Sequence, residues 1–160
     1  MVKIILAWSF APNGEPLKSD AQQLEAALIA AGHAVQPFQL PAVASPPLAL
    51  RTIASHRLIR IDPAADQLIC LGGLAAILRH SRKIACFTRN DDLAVGSSDG
   101  ETAYAAKVIR SAISESYQIF VASATIAKGL RALDVGSVGV LPKAAAGADR
   151  WAPVLGVLAA

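Results

Sequence analysis

The chain has 160 residues, 54% of them hydrophobic and 17% charged, with a mean hydropathy of +0.45; this excludes a disordered linker and fits one domain with a sizeable core and no second domain of similar size. Its net charge of +3 and pI near 9.1 come from 15 scattered Lys and Arg residues, densest at Arg79, Arg82 and Lys83, too thin a stripe for a nucleic-acid groove. Cys70 and Cys86 lie inside apolar runs with no Cys-x-x-Cys spacing, which argues against a disulfide scaffold or zinc site and for a reducing, cytoplasmic location.

Val2 to Ala7 is a short continuous apolar run, the pattern of a buried parallel strand. A polar loop from Ser9 to Lys18 leads to Ser19, an N-cap with Gln22 as its capping-box partner. Leu24, Ala27, Leu28 and Ala31 then recur at helical spacing, and Gly32 ends the helix. Ala34 to Leu40 reads as the second strand of a βαβ unit. Pro41, Pro46 and Pro47 mark an irregular connection, and Leu48 to Leu58 has helical character.

Gln67 to Leu71 reads as a strand that breaks at Gly72-Gly73 into a short helix ending near His80. Ile84 to Phe87 is the next strand, and the polar stretch from Thr88 to Gly100 is a loop at its carboxyl end. Glu101 to Ser116 predicts the longest helix, capped by Ser98 or Asp99. Gln118 to Ala122 is a strand, Ser123 caps a helix through Leu133, and Val138 to Leu141 is a strand stopped by Pro142. A weak terminal helix begins at about Asp149. No apolar run reaches the roughly 18 residues that span a bilayer, though contact with a membrane surface stays open.

The alternation of strands and helices predicts an α/β fold: a single doubly wound, Rossmann-like domain over residues 1–160. Its sheet is mainly parallel, of about six strands, with helices on both faces. Ligands of such sheets sit at the carboxyl ends of the strands. The crevice candidates are therefore Ser9, Asn13, Gly14, Gly72, Gly73, Arg89, Asn90, Asp91 and Ser123. The bland reading of Gly72, Gly73 and Ser123 is that they are ordinary turn and capping residues.

Several chemistries find no residues to carry them. The turn after the first strand has one glycine, Gly14, where a dinucleotide fingerprint needs three, and there is no P-loop. No bound cofactor is expected. There is no serine elbow, and neither cysteine has a histidine nearby in sequence to activate it, so both read as buried and inert. His33, His56 and His80 show no metal-ligand spacing, and His33 and His80, each following a helix, suit structural roles. Catalytic residues are not assigned, and no metal is expected.

Three collinear stretches carry a resemblance. Gly32-His33-Ala34-Val35 looks like the Gly-His-x-Val that opens the second strand of GT-B glycosyltransferases. Ala65 to Cys70, followed by Arg79-His80-Ser81-Arg82-Lys83-Ile84-Ala85, is similar to the strand, short helix and His-Pro-x-Lys-Val-Val segment of the family 4 enzymes. Gln118 to Leu130, with Val138-Gly139-Val140-Leu141-Pro142 beyond it, resembles that family's Ala-x-Ser strand and helix before its Val-Leu-Pro-Pro turn.

The resemblance implies the N-terminal, acceptor-binding half of such an enzyme. In the family, a second domain supplies the nucleotide-sugar site with a spaced pair of glutamates. Here Glu15, Glu25, Glu101 and Glu115 do not reproduce that spacing, so the donor half is not expected within these residues. Catalysis by this chain alone is not expected; a nucleotide sugar would be a co-substrate only in company with a donor-binding domain. Two further readings stand beside it. One is a non-catalytic assembly module that meets a partner or a second copy of itself through the apolar terminus Val154 to Ala160. The other is a Rossmann-like domain that binds a small phosphorylated or sugar ligand.

Overall fold

A computed structural model describes residues 2–8, 18–39, 64–72, 75, 78, 80–88, 116, 118–121, 124, 127–128, 137–142 and 148–159. The elements run β1 (Lys3–Trp8), α1 (Lys18–Ala30), β2 (Ala34–Gln39), β3 (Gln67–Leu71), β4 (Lys83–Phe87), β5 (Gln118–Val121), β6 (Ser137–Val140) and α2 (Ala148–Ala159). All six strands pair in parallel in the order β2-β1-β3-β4-β5-β6. The α/β doubly wound class expected from the alternation is the one observed.

The order follows from the composition of each strand. QLICL of β3 and KIACF of β4 are buried at every position, as strands flanked on both sides and covered on both faces must be. AVQPFQ of β2 is exposed except at half-buried Val35 and Phe38, and it carries Pro37, which cannot donate to a ladder and suits an edge strand.

Register divides the buried side chains between two faces, because successive residues of a strand point opposite ways. Ile4, Leu6 and Trp8 of β1 share one face with Ile69 and Leu71, Ile84 and Cys86, and Phe120. Leu24, Ala27 and Leu28 of α1 cover that face together with Trp151 and Val154 of α2. The opposite face carries Ile5, Ala7, Leu68, Cys70, Ala85, Phe87, Ile119 and Val121, also buried. Right-handed crossovers explain the division. From β1 to β2 the chain steps one way across the sheet, through α1; from β3 to β6 it steps the other way, for which right-handed connections call for cover on the opposite face.

Helix α1 ends in a Schellman motif. Gly32 has φ 89°, its N–H donates to Ile29 O (2.9 Å), and the His33 N–H donates to Leu28 O (3.1 Å). Its amino end departs from expectation: Lys18 is already helical, so Ser19 lies within the first turn and not at the cap. The terminal helix is stronger than expected. It buries Trp151 and Val154 completely and packs Leu155, Val157 and Leu158 against the core. The apolar stretch from Val154 is therefore largely spent inside its own domain, because α2 folds back over the α1 face. Ser116, expected as the last residue of the long helix, is buried and non-helical. The rest of that helix, and the one expected over Leu48 to Leu58, lie outside the described residues.

Candidate functional site

In a parallel sheet of this order the chain leaves β1 for a neighbour on one side and later returns to the other, so the connections diverge at the β1/β3 boundary. In sheets of this order, such a divergence is where ligands generally bind, outside the carboxyl ends of the strands. Trp8 and Leu71 are paired at that boundary. Gly72, which follows, has φ 91°, a conformation that side-chain-bearing residues rarely adopt, and its N–H donates to Cys86 O at 3.1 Å. Gly72 thus turns the chain away from the sheet while staying pinned to β4. Of the crevice candidates it is the described one. Ser9, Asn13, Gly14, Gly73, Arg89, Asn90, Asp91 and Ser123 lie outside the described residues. In sequence, Ser9, Gly73, Arg89 and Ser123 each fall within two positions of the carboxyl end of β1, β3, β4 or β5.

The described polar cluster at this end is one that sequence reasoning missed. Asp20, in the first turn of α1, accepts a hydrogen bond from Thr88 Oγ1 (2.5 Å) through one carboxylate oxygen and pairs with Arg150 Nη1 (2.8 Å) through the other. Three elements meet there: the start of α1, the residue just past β4 and the start of α2. The Arg150 guanidinium also lies over the Trp151 ring, 5.1 Å from its centroid. The side chains of Arg150 and Asp20 are 21% and 13% exposed, so the pair is only partly screened by water. A carboxylate in a helix's first turn is also favoured by the helix dipole. The one sequence signal was an acidic residue at the start of a helix. Its partners stand 68 and 130 positions away, beyond the reach of any local pattern.

The histidines and cysteines take structural places. Arg82 N–H donates to His80 Nδ1 (3.0 Å) and His80 Nε2 meets Ala65 O (3.0 Å), which assigns the neutral tautomer protonated at Nε2. The Val2 N–H donates to His33 Nδ1 at 3.4 Å, a structural role at the end of α1. His56 lies outside the described residues. Cys70 and Cys86 are free and buried, and adjacent strands point them to opposite faces, so they cannot bridge. Burial pushes the Cys70 thiol up to about 12, against a smaller lowering by Lys83. Burial, then proximity to Cys70, pushes Cys86 up further. Neither thiol is a nucleophile at neutral pH.

Among the described residues there is no group of three or more His, Cys, Asp or Glu able to hold a metal ion, and no helix is long and apolar enough to cross a membrane. A cavity of about 180 Å³ lies elsewhere, against the outer strand pair, lined by Lys3, Ile4, Ile5, Ala34, Val35, Gln36 and Ala65. It sits toward the amino ends of β1 and β2, away from the carboxyl ends of the strands. No protein-family model matches the chain, and neither a curated protein nor a solved structure shows significant similarity to it.

Proposed function

We propose that the chain is a ligand-binding α/β domain that takes a small phosphorylated or sugar-containing molecule in the crevice at the carboxyl ends of β1, β3 and β4. The observation that carries this reading is the strand order, which puts the point of divergence between β1 and β3, with the left-handed Gly72 beside it. The buried, unreactive cysteines suit a binding role better than covalent catalysis and fit a reducing, cytoplasmic setting.

The acceptor-binding half of a split glycosyltransferase is the narrower form of the same proposal and would use the same crevice. The described residues behind that resemblance have folding duties. Gly32 closes α1, His80 holds the ends of two strands together, and Gly139 makes room for Phe120. They support the architecture more directly than sugar transfer.

Thermal unfolding with glucose 1-phosphate, a uridine diphosphate sugar and inorganic phosphate tests the proposal. A ligand at 100 times its dissociation constant adds about 2.7 kcal/mol. For a domain of this size that raises Tm by about 5–10 °C. No shift with any probe at millimolar concentration overturns the reading. A shift with the nucleotide sugar together with hydrolysis or transfer by the chain alone would overturn its non-catalytic part.

A further inference from the structure

We infer that Asp20 is a positioning residue of the crevice: it fixes the carboxyl end of β4 against the starts of α1 and α2, so that ligand binding and docking of the terminal helix are coupled. The inference rests on the crevice reading above. Its own evidence is the geometry of one carboxylate, whose two oxygens are divided between Thr88 Oγ1 and Arg150 Nη1. Thr88 is the first residue after β4 and directly precedes Arg89, Asn90 and Asp91 in the chain. Arg150 stands in the first turn of α2, next to fully buried Trp151. A displacement of either partner is therefore felt by the other through Asp20. Any ligand that favours one placement of Thr88 must favour the docked α2 by the same factor.

Three variants of the full chain test this: Asp20→Asn, which keeps the shape and removes the charge, Thr88→Val, which removes the hydroxyl, and Gly32→Ala, a destabilised control at the far end of α1. Hydrogen exchange of the Cys86–Thr88 and Arg150–Val154 amides is compared among them. In Asp20→Asn both segments exchange about tenfold faster than in Gly32→Ala at equal global stability, and Thr88→Val accelerates the first segment. Equal exchange in Asp20→Asn and Gly32→Ala overturns the inference, whatever the probes show. If the wild-type chain binds glucose 1-phosphate or a uridine diphosphate sugar, Asp20→Asn weakens that binding about tenfold while Gly32→Ala leaves it unchanged. Undiminished binding by Asp20→Asn also overturns the inference. If the wild type binds neither, the crevice reading falls, and the exchange comparison alone decides the role of Asp20.

Discussion

Alanine at Gly139 and alanine at Gly156 are the same chemical change with opposite expected signs. An ideal Cβ at Gly139 would stand 2.9 Å from both Cδ1 and Cε1 of Phe120, whereas carbon atoms in good contact are about 3.5–4.0 Å apart. The ring edge or the β6 backbone must therefore retreat by roughly 0.6–1 Å. Phe120 is 4% exposed and belongs to the core cluster shared with Trp151 and Leu141, so the ring has no open space to enter. Overpacking of this kind costs about 1–3 kcal/mol. Relief of glycine's backbone entropy returns about 0.5–1 kcal/mol, leaving Gly139→Ala less stable by about 1 kcal/mol, and by at most about 2.5 kcal/mol. At Gly156, in the exposed part of α2, a Cβ would meet nothing within 4 Å. There only the helix-propensity gain acts, and Gly156→Ala is more stable by about 0.5–1 kcal/mol. Urea unfolding followed by tryptophan fluorescence measures both, since the two tryptophans, Trp8 and Trp151, are in the core. A Gly139→Ala chain as stable as the wild type, with an unchanged denaturant slope, would refute the packing argument.

Gly32→Ala forces a side chain into φ 89° and should cost about 1 kcal/mol or more in the same assay, although space for the Cβ is open. His80→Ala removes the acceptor for Arg82 N–H and the donor to Ala65 O; a loss of about 1–3 kcal/mol is expected, with no change in the affinity of any probe that binds the crevice. The cysteines give a pH dependence. Above the ordinary thiol value of 9.0 the unfolded chain has lost its proton from Cys70 while the folded chain keeps it to about 12. The native state then binds more protons, and stability falls by about 1.4 kcal/mol per pH unit per thiol between roughly pH 9 and 12. The Cys70→Ala, Cys86→Ala double variant should show a shallower alkaline decline, and an identical slope would remove the cysteines from the explanation.

Six strands of the sheet could be placed from apolar runs because they are central or follow clear turn chemistry. Gln67–Leu71 is legible to the residue, since polar Asp66 and the Gly72-Gly73 pair bound it. Boundaries slipped by one position at β1, β2, β4, β5 and β6, where the next residue in the chain is also compatible with a strand. Helix α2 looked weak because Pro153 and Gly156 lower its intrinsic propensity. Tertiary burial of Trp151 and Val154 outweighs that deficit. The Asp20 cluster was invisible for a different reason: an ion pair between the starts of two helices depends on their sharing a sheet face, which no local spacing encodes.

The two ends of the sheet use their polar residues differently. At the amino end, the Asp66 carboxylate accepts the Lys3 N–H at 2.9 Å, buried Gln67 donates to the carbonyls of Leu68 and Arg82, and buried Lys83 donates to Leu78 O. His80 links Ala65 to Arg82 across the same strand ends. These side chains complete backbone hydrogen bonding where strands begin, which is what burial of a polar group demands. At the carboxyl end, the described side chains join helix to strand and helix to helix through a single carboxylate, Asp20. A change at the amino end therefore strikes the sheet itself. A change at Asp20 alters how two helices and the end of β4 sit together, with the core strands left paired. The carboxyl end is thus where a side-chain change shifts helices and a strand end without breaking the ladder between the core strands.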